Sequence, residues 1–200
     1  QNQIGIFLLI FARITGIFTS APIFGSHNIP VQLKAALSLL CTALVMPLLI
    51  DSQLTVGSSM LVYLLIVISE FFLGLLLGFT ASLVFAAVQM AGHLLDMQIG
   101  FGIVNIFDPQ SGQQVPLIGN FKYILALLVY LSVNGHHVFL SALFDSFKAI
   151  PITTAVFHAI PLTELFVNII SGAFILAFKI TVPVLIALFL TDIALGILAR

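Results

Sequence analysis

Between residues 58 and 98 the chain runs for about 40 residues with no proline and with only Glu70 and Asp96 as charged side chains. A helix of that length would extend about 60 Å, twice the hydrocarbon thickness of a bilayer. One straight spanning helix therefore does not account for the stretch. The whole chain shares its character, being 61% hydrophobic and 6% charged over 200 residues, whereas a soluble domain is roughly half apolar and a quarter charged. The fold class expected is an all-α membrane-associated protein of kinked apolar helices and helical hairpins, interrupted by an internal polar loop.

Punctuation divides the rest. Residues 4–20 form an apolar helix that ends at Ala21-Pro22, and IFGSHNIP after it holds the Gly, Asn and Pro of a short connection. The first helix has Arg13 in its middle and neither a basic start nor a small-residue cleavage site, so it is expected to belong to the mature fold rather than to a signal peptide. Residues 31–50 make a second helix with Pro47 near its end. Beyond residue 120, residues 121–133 and 138–150 are two short helices broken at NGHH, since Asn-Gly is a strong turn signal. Residues 151–161 connect to a last apolar run, 162–198, in which Pro183 must kink or stop the helix. No soluble domain or fixed-period repeat is present, so residues 1–200 are expected to form a single helical unit, its end at Arg200 falling in mid-structure.

Several functions are excluded on composition. A net charge of −1 without a basic run offers no footprint for nucleic acid. Cys41 stands alone in an apolar run and has no internal disulfide partner. The sequence carries no G-x-S-x-G, H-E-x-x-H or P-loop pattern. His136 and His137 are adjacent on a turn and point different ways, and neither His158 nor Asp145 has suitable ligand spacing, so no metal site is expected. Catalytic residues and cofactors are expected to be absent.

Charges inside apolar runs are more informative. Arg13, Glu70, Asp96, Lys179 and Asp192 would each cost about 2.5–3.5 kcal/mol at a helix centre facing lipid, so each is expected to face protein or a wet cavity. They either belong to a proton or ion path, as in a proton-coupled secondary transporter with a re-entrant loop, or act as paired struts, Arg13 with Glu70 for instance. Their scatter favours struts, because a relay needs titratable groups within hydrogen-bond reach of one another. Asp192, Gly196 and Arg200, spaced by four, suit a polar docking edge. Glu70, Gly74, Gly78, Ser82 and Ala86 also recur every fourth residue, a small-residue row that lets another helix backbone approach closely.

Residues 101–120, FGIVNIFDPQSGQQVPLIGN, are the polar interruption. Each unpaired backbone group in hydrocarbon costs several kcal/mol, so this stretch lies in water or is buried in protein at a cavity. Asp108-Pro109 suits the first two positions of a type I turn. Apolar flanks surround that polar tip, with Gly100, Gly102 and Gly119 as hinges. Physics alone leaves two readings open, a stopper in a narrow passage or an ordinary connection.

FARITGIFTSAPIFGSHNIP, SEFFLGLLLGF, AAVQMAGHLLDMQIGFG, NIFDPQSGQQVPLIGNF, NGHH and TDIALGILAR together resemble the FliR/SctT family of type III secretion export-gate proteins, on the flagellar side. The likeness covers nearly the whole chain. It implies a non-enzymatic channel subunit in the bacterial inner membrane, at the flagellar basal body, that assembles with FliP and FliQ. FlhA and FlhB are organised around that assembly, and unfolded flagellar proteins pass through it. It also implies a plug at about residues 106–116, with Ile106, Phe107, Asp108, Pro109, Gln110, Ser111 and Gly112 around its tip, and fewer true membrane spans than hydropathy counts. Family members continue past the position of Arg200 with a further apolar stretch. A pure assembly scaffold, its loop a mere connector, is the third expectation beside gate and transporter.

Overall fold

The computed structural model describes residues 2–26, 29–49, 60–100, 116–152 and 162–199. They form α1 (Asn2–Ser20), α2 (Val31–Leu49), α3 (Met60–Ile99), α4 (Leu117–Ser132), α5 (Gly135–Ala149) and α6 (Leu162–Leu198), with no strand among them. The fold is all-α.

Breakers separate the helices near where the sequence places them, although α4 starts at Leu117 and α5 at Gly135, ahead of the expected 121 and 138. α3 ends at Gly100, whose φ of 88° is open to glycine and strained for other residues. Between α4 and α5, Asn134 adopts the left-handed conformation, φ 56° and ψ 31°, which the Asn side chain tolerates better than most. Both long apolar runs stay helical throughout. The proline-free run is one continuous helix of 40 residues, because nothing in it interrupts the hydrogen-bond ladder. α6 also continues through Pro183 for its full 37 residues. Proline there removes its own bond to the carbonyl of Lys179 and crowds that carbonyl, but the apolar turns on either side keep their bonds, so the helix does not stop.

Packing gathers into two compact units. The first draws on Gln1–Ser82 and Asn134–Leu162. Its core is built on α1, whose Leu9, Ile10, Ile14, Ile17 and Phe18 are almost wholly buried against Cys41 and Val45 of α2, Ile66 of α3, and Leu143 and Phe147 of α5. The second draws on Leu83–Val133 and Thr163–Arg200. There the contact between α3 and α6 is made by small residues, Ala87 and Ala91 against Ala177, and the Thr181 hydroxyl, which donates to the Ala177 carbonyl at 2.8 Å, lies 3.3 Å from the Ala91 carbonyl. Phe85 meets Tyr130 and Tyr123 of α4 edge-on, with ring centroids at 5.4 and 6.3 Å.

Among the described residues three helices are long and apolar enough to cross a membrane, Gln3–Ser20, Met60–Ile99 and Glu164–Leu198, or four if the broken pair α4 and α5 makes one span. They differ in what they show outward. Half of the α1 window is buried inside the chain, against 22% for α3 and 11% for α6. Hydropathy therefore marks α1 for two reasons at once, since a helix buried in its own protein is as apolar as one facing lipid.

Candidate functional site

In the first unit Arg13 is fully buried in the middle of α1, and its Nε donates to Glu70 Oε2 of α3 at 2.6 Å. Its Nη1 reaches α5 and donates to the carbonyls of Ser146, at 3.2 Å, and Ile150, at 2.8 Å. Those carbonyls belong to the last turn and the C-cap of α5, the negative end of the helix dipole, and the Ser146 carbonyl also accepts from the Ile150 N–H at 2.9 Å. The guanidinium carbon also lies 4.6 Å from the centroid of the Phe147 ring. Its Nη2 is buried with no hydrogen-bond partner. One planar fork thus ties three helices together, with a carboxylate and a helix terminus sharing its charge.

Just beyond Glu70 the backbones of α1 and α3 touch. A Cβ built on Gly74 would overlap the Arg13 carbonyl, one on Gly78 would lie 2.5 Å from the Ile17 carbonyl, and one on Gly16 would lie 2.9 Å from the Leu75 nitrogen. Ser20 donates across the same seam to the Leu75 carbonyl at 2.9 Å. The row read as a single face does not continue: Ser82 is half-buried, with its hydroxyl turned back to the Phe79 carbonyl, and Ala86 is exposed. The reason is helical geometry. A spacing of four drifts by about 40° at each step, so from Glu70 to Ala86 it winds about 160° around the helix.

In the second unit Asp96, 2% exposed, stands one turn before the end of α3. Its Oδ1 accepts from the Ile118 N–H and its Oδ2 from the Gly119 N–H, both at 3.0 Å. These are among the first N–H groups of α4, which have no partner within their own helix. Pro116 occupies the capping position and offers no side-chain bond, so the carboxylate of α3 caps α4 instead. One turn earlier on α3, Gly92 lies against Gly119, and a Cβ on Gly92 would come within 2.7 Å of the Gly119 nitrogen.

The other expected positions are more scattered. Lys179 and Asp192 are exposed on α6, where little of the chain covers the helix; Arg200 lies outside the described residues. Ile106, Phe107, Asp108, Pro109, Gln110, Ser111 and Gly112 also lie outside them. The rings of His136 and His137 lie with centroids 4.3 Å apart and tilted by 38°, and no group of three or more metal-binding side chains occurs among the described residues. Sequence reasoning missed Gly16, Gly92 and the contact of Gly92 with Gly119, and it gave Asp96 no partner. A glycine at i−4 from a buried carboxylate is the only signal that was available for the last.

Residues 4–200 match the family model described as bacterial export proteins, family 1. The flagellar biosynthetic protein FliR of Bacillus subtilis is 39% identical, the alignment covering 97% of this chain and 75% of the relative. That of Pectobacterium carotovorum is 32% identical over 100% and 75%, and that of Escherichia coli 29% identical over 94% and 71%. Resting on a family match along almost its whole length and on relatives aligned over most of theirs, this chain belongs to family 1 of the bacterial export proteins.

Proposed function

We propose that this chain is a non-enzymatic channel subunit of the flagellar type III export gate. It sits in the bacterial inner membrane at the basal body and assembles as one helical subunit with FliP and FliQ, with FlhA and FlhB around them. Unfolded flagellar proteins cross through that assembly. Residues 106–112 act as its plug, and Gly74, Gly78, Ser82 and Ala86 as packing positions.

Family membership supports the export role, and one structural observation supports the plug. α3 ends at Ile99, α4 begins at Leu117, and Asp96 bonds the start of the second helix to the last turns of the first. The polar stretch therefore starts and finishes at one place on the fold, as a loop inserted into a passage must. The transporter reading is less well supported, because the carboxylates it relies on are engaged. Glu70 is held by Arg13, and Asp96 by two backbone N–H groups.

Deleting residues 107–112 should leave the complex assembled and make the closed channel leak ions. Conductance of the purified complex in planar bilayers measures this. A deletion complex as tight as the parent would reject the plug and leave the scaffold reading.

A further inference from the structure

We infer that one face of α6, running through Gly172 and Lys179, seats an apolar helix of a different protein chain, and that this helix brings a carboxylate to Lys179. The inference rests on reading the chain as one subunit of a membrane assembly, and it adds the chemistry of one contact.

Asn168, Gly172, Ile175 and Lys179 alternate the spacings of four and three that keep residues on one side of a helix, and Val182 and Ile186 continue the line. All six are exposed. α6 meets α3 through Ala177 and Thr181, both fully buried. Lys179 stands two residues from each of them, so it lies about 160° away around the helix, on the side turned from α3. A Cβ built on Gly172 would meet nothing within 4 Å. In the seam between α1 and α3 the glycines are filled by the backbone of the facing helix. Gly172 offers the same opening for close approach, with no helix of this chain in it.

Length decides that protein covers this face. The 37 residues of α6 extend about 55 Å, against about 30 Å of hydrocarbon. Even a tilt of about 40° places only about 26 residues in that layer. Lys179 stands near the middle of the helix. Inside the hydrocarbon its ammonium needs an anion beside it. At the edge of the layer, about half of α6 extends beyond the lipid with its apolar side chains, Ile175 at 54% or Ile186 at 55% exposed, and needs protein over them. A carboxylate is the group that lets a lysine enter such a dry contact in either placement.

The chain offers no such carboxylate of its own. The ion pairs among the described residues are Arg13 with Glu70 and Lys148 with Asp145, and Asp192 lies about 140° around α6 from Lys179. A second copy does not offer one either. Inserted the same way round, it would set Lys179 beside Lys179. Shifted to bring its Glu164 to Lys179, it would be displaced about 22 Å along the helix, most of the thickness of the hydrocarbon. The occupant is therefore a different chain.

The test uses the membrane complex recovered through a tag on this chain. Lys179→Glu should cut the yield of one partner subunit at least about tenfold, since it sets like charges together. Lys179→Arg keeps the charge and should lose far less. A photoreactive benzophenone side chain at position 175 of the otherwise parental chain should form an adduct with that same partner, in an apolar segment that holds an Asp or Glu. Replacing that acid by Lys should restore the yield of Lys179→Glu. Adducts on phospholipid, on a second copy or on a segment without an acid overturn the inference, and so does a failed rescue in a Lys179→Glu chain with the helix content of the parent. Should Lys179→Glu misfold, the adduct and its mapped segment decide alone. A parental chain recovered without any partner rejects the assembly reading and the inference with it, whereas partners recovered without the expected adduct overturn the inference alone.

Discussion

Arg13 and Glu70 meet at 2.6 Å in the core of the first unit, with their side chains 1% and 0% exposed. Removing one partner of such a pair leaves a buried charge uncompensated, which costs about 3–5 kcal/mol. Glu70→Gln and Arg13→Ala should therefore each lower thermal stability in detergent severely. Reversing both charges should recover only part of the loss. A glutamate at position 13 would restore the ion pair, but it has no N–H to give the carbonyls of Ser146 and Ile150. Full recovery in the double variant would mean that the α5 contacts contribute nothing.

Gly74 and Ala86 belong to the same sequence row and should respond oppositely. Gly74→Ala drives a methyl group into the Arg13 carbonyl, where the obstacle is backbone and cannot rotate aside, so a loss of about 1–3 kcal/mol is expected. Ala86→Leu adds its bulk on an exposed surface and should change the stability of the chain by no more than about 0.5 kcal/mol. Unfolding midpoints of the two variants decide this. If Ala86→Leu keeps its stability yet loses co-purification with FliP and FliQ, that part of the row serves the assembly.

Helix ends were legible because they carry local chemistry: Ala21-Pro22 after α1, Gly100 after α3, and Asn134-Gly135 between α4 and α5. The pairing of Arg13 with Glu70 was legible for a different reason, since a chain with so few charges leaves a buried arginine few partners. What escaped the sequence was every contact made to backbone. Nothing in a string of residues shows that Arg13 also serves the end of α5, that Asp96 caps α4, or that Gly92 faces Gly119, because each of these acceptors and donors is a peptide group that all residues possess. Within the chain, the row from Glu70 to Ala86 packs against α1 at Gly74 and Gly78, and its spacing of four, close to the helical repeat without equalling it, turns Ser82 and Ala86 to other directions.

Asn134 lies in the left-handed region, between the C-cap of α4 and the first residue of α5. Asn134→Gly should be tolerated, while Asn134→Val should cost about 1–2 kcal/mol, because a β-branched side chain clashes with the backbone in that conformation. Thermal denaturation distinguishes the two. Equal midpoints would mean that the break re-forms with a different backbone at no cost.

Lys179 and Asp192 are exposed on α6, a helix otherwise apolar for most of its length. Thirteen residues separate them, which places them about 140° apart around an ideal helix and about 20 Å apart along it. A charge facing lipid near the bilayer centre would cost about 2.5–3.5 kcal/mol, so in the proposed gate protein or water covers α6 at both positions, on two different sides. Lys179→Leu and Asp192→Leu should accordingly leave helix content and the stability of the chain nearly unchanged while reducing recovery of the complex with FliP and FliQ. Pull-down yield set against circular dichroism of the same preparation separates the two effects. Undiminished recovery for both variants would show that neither charge meets a partner, and α6 would then be a surface that faces lipid or water rather than a helix enclosed between subunits.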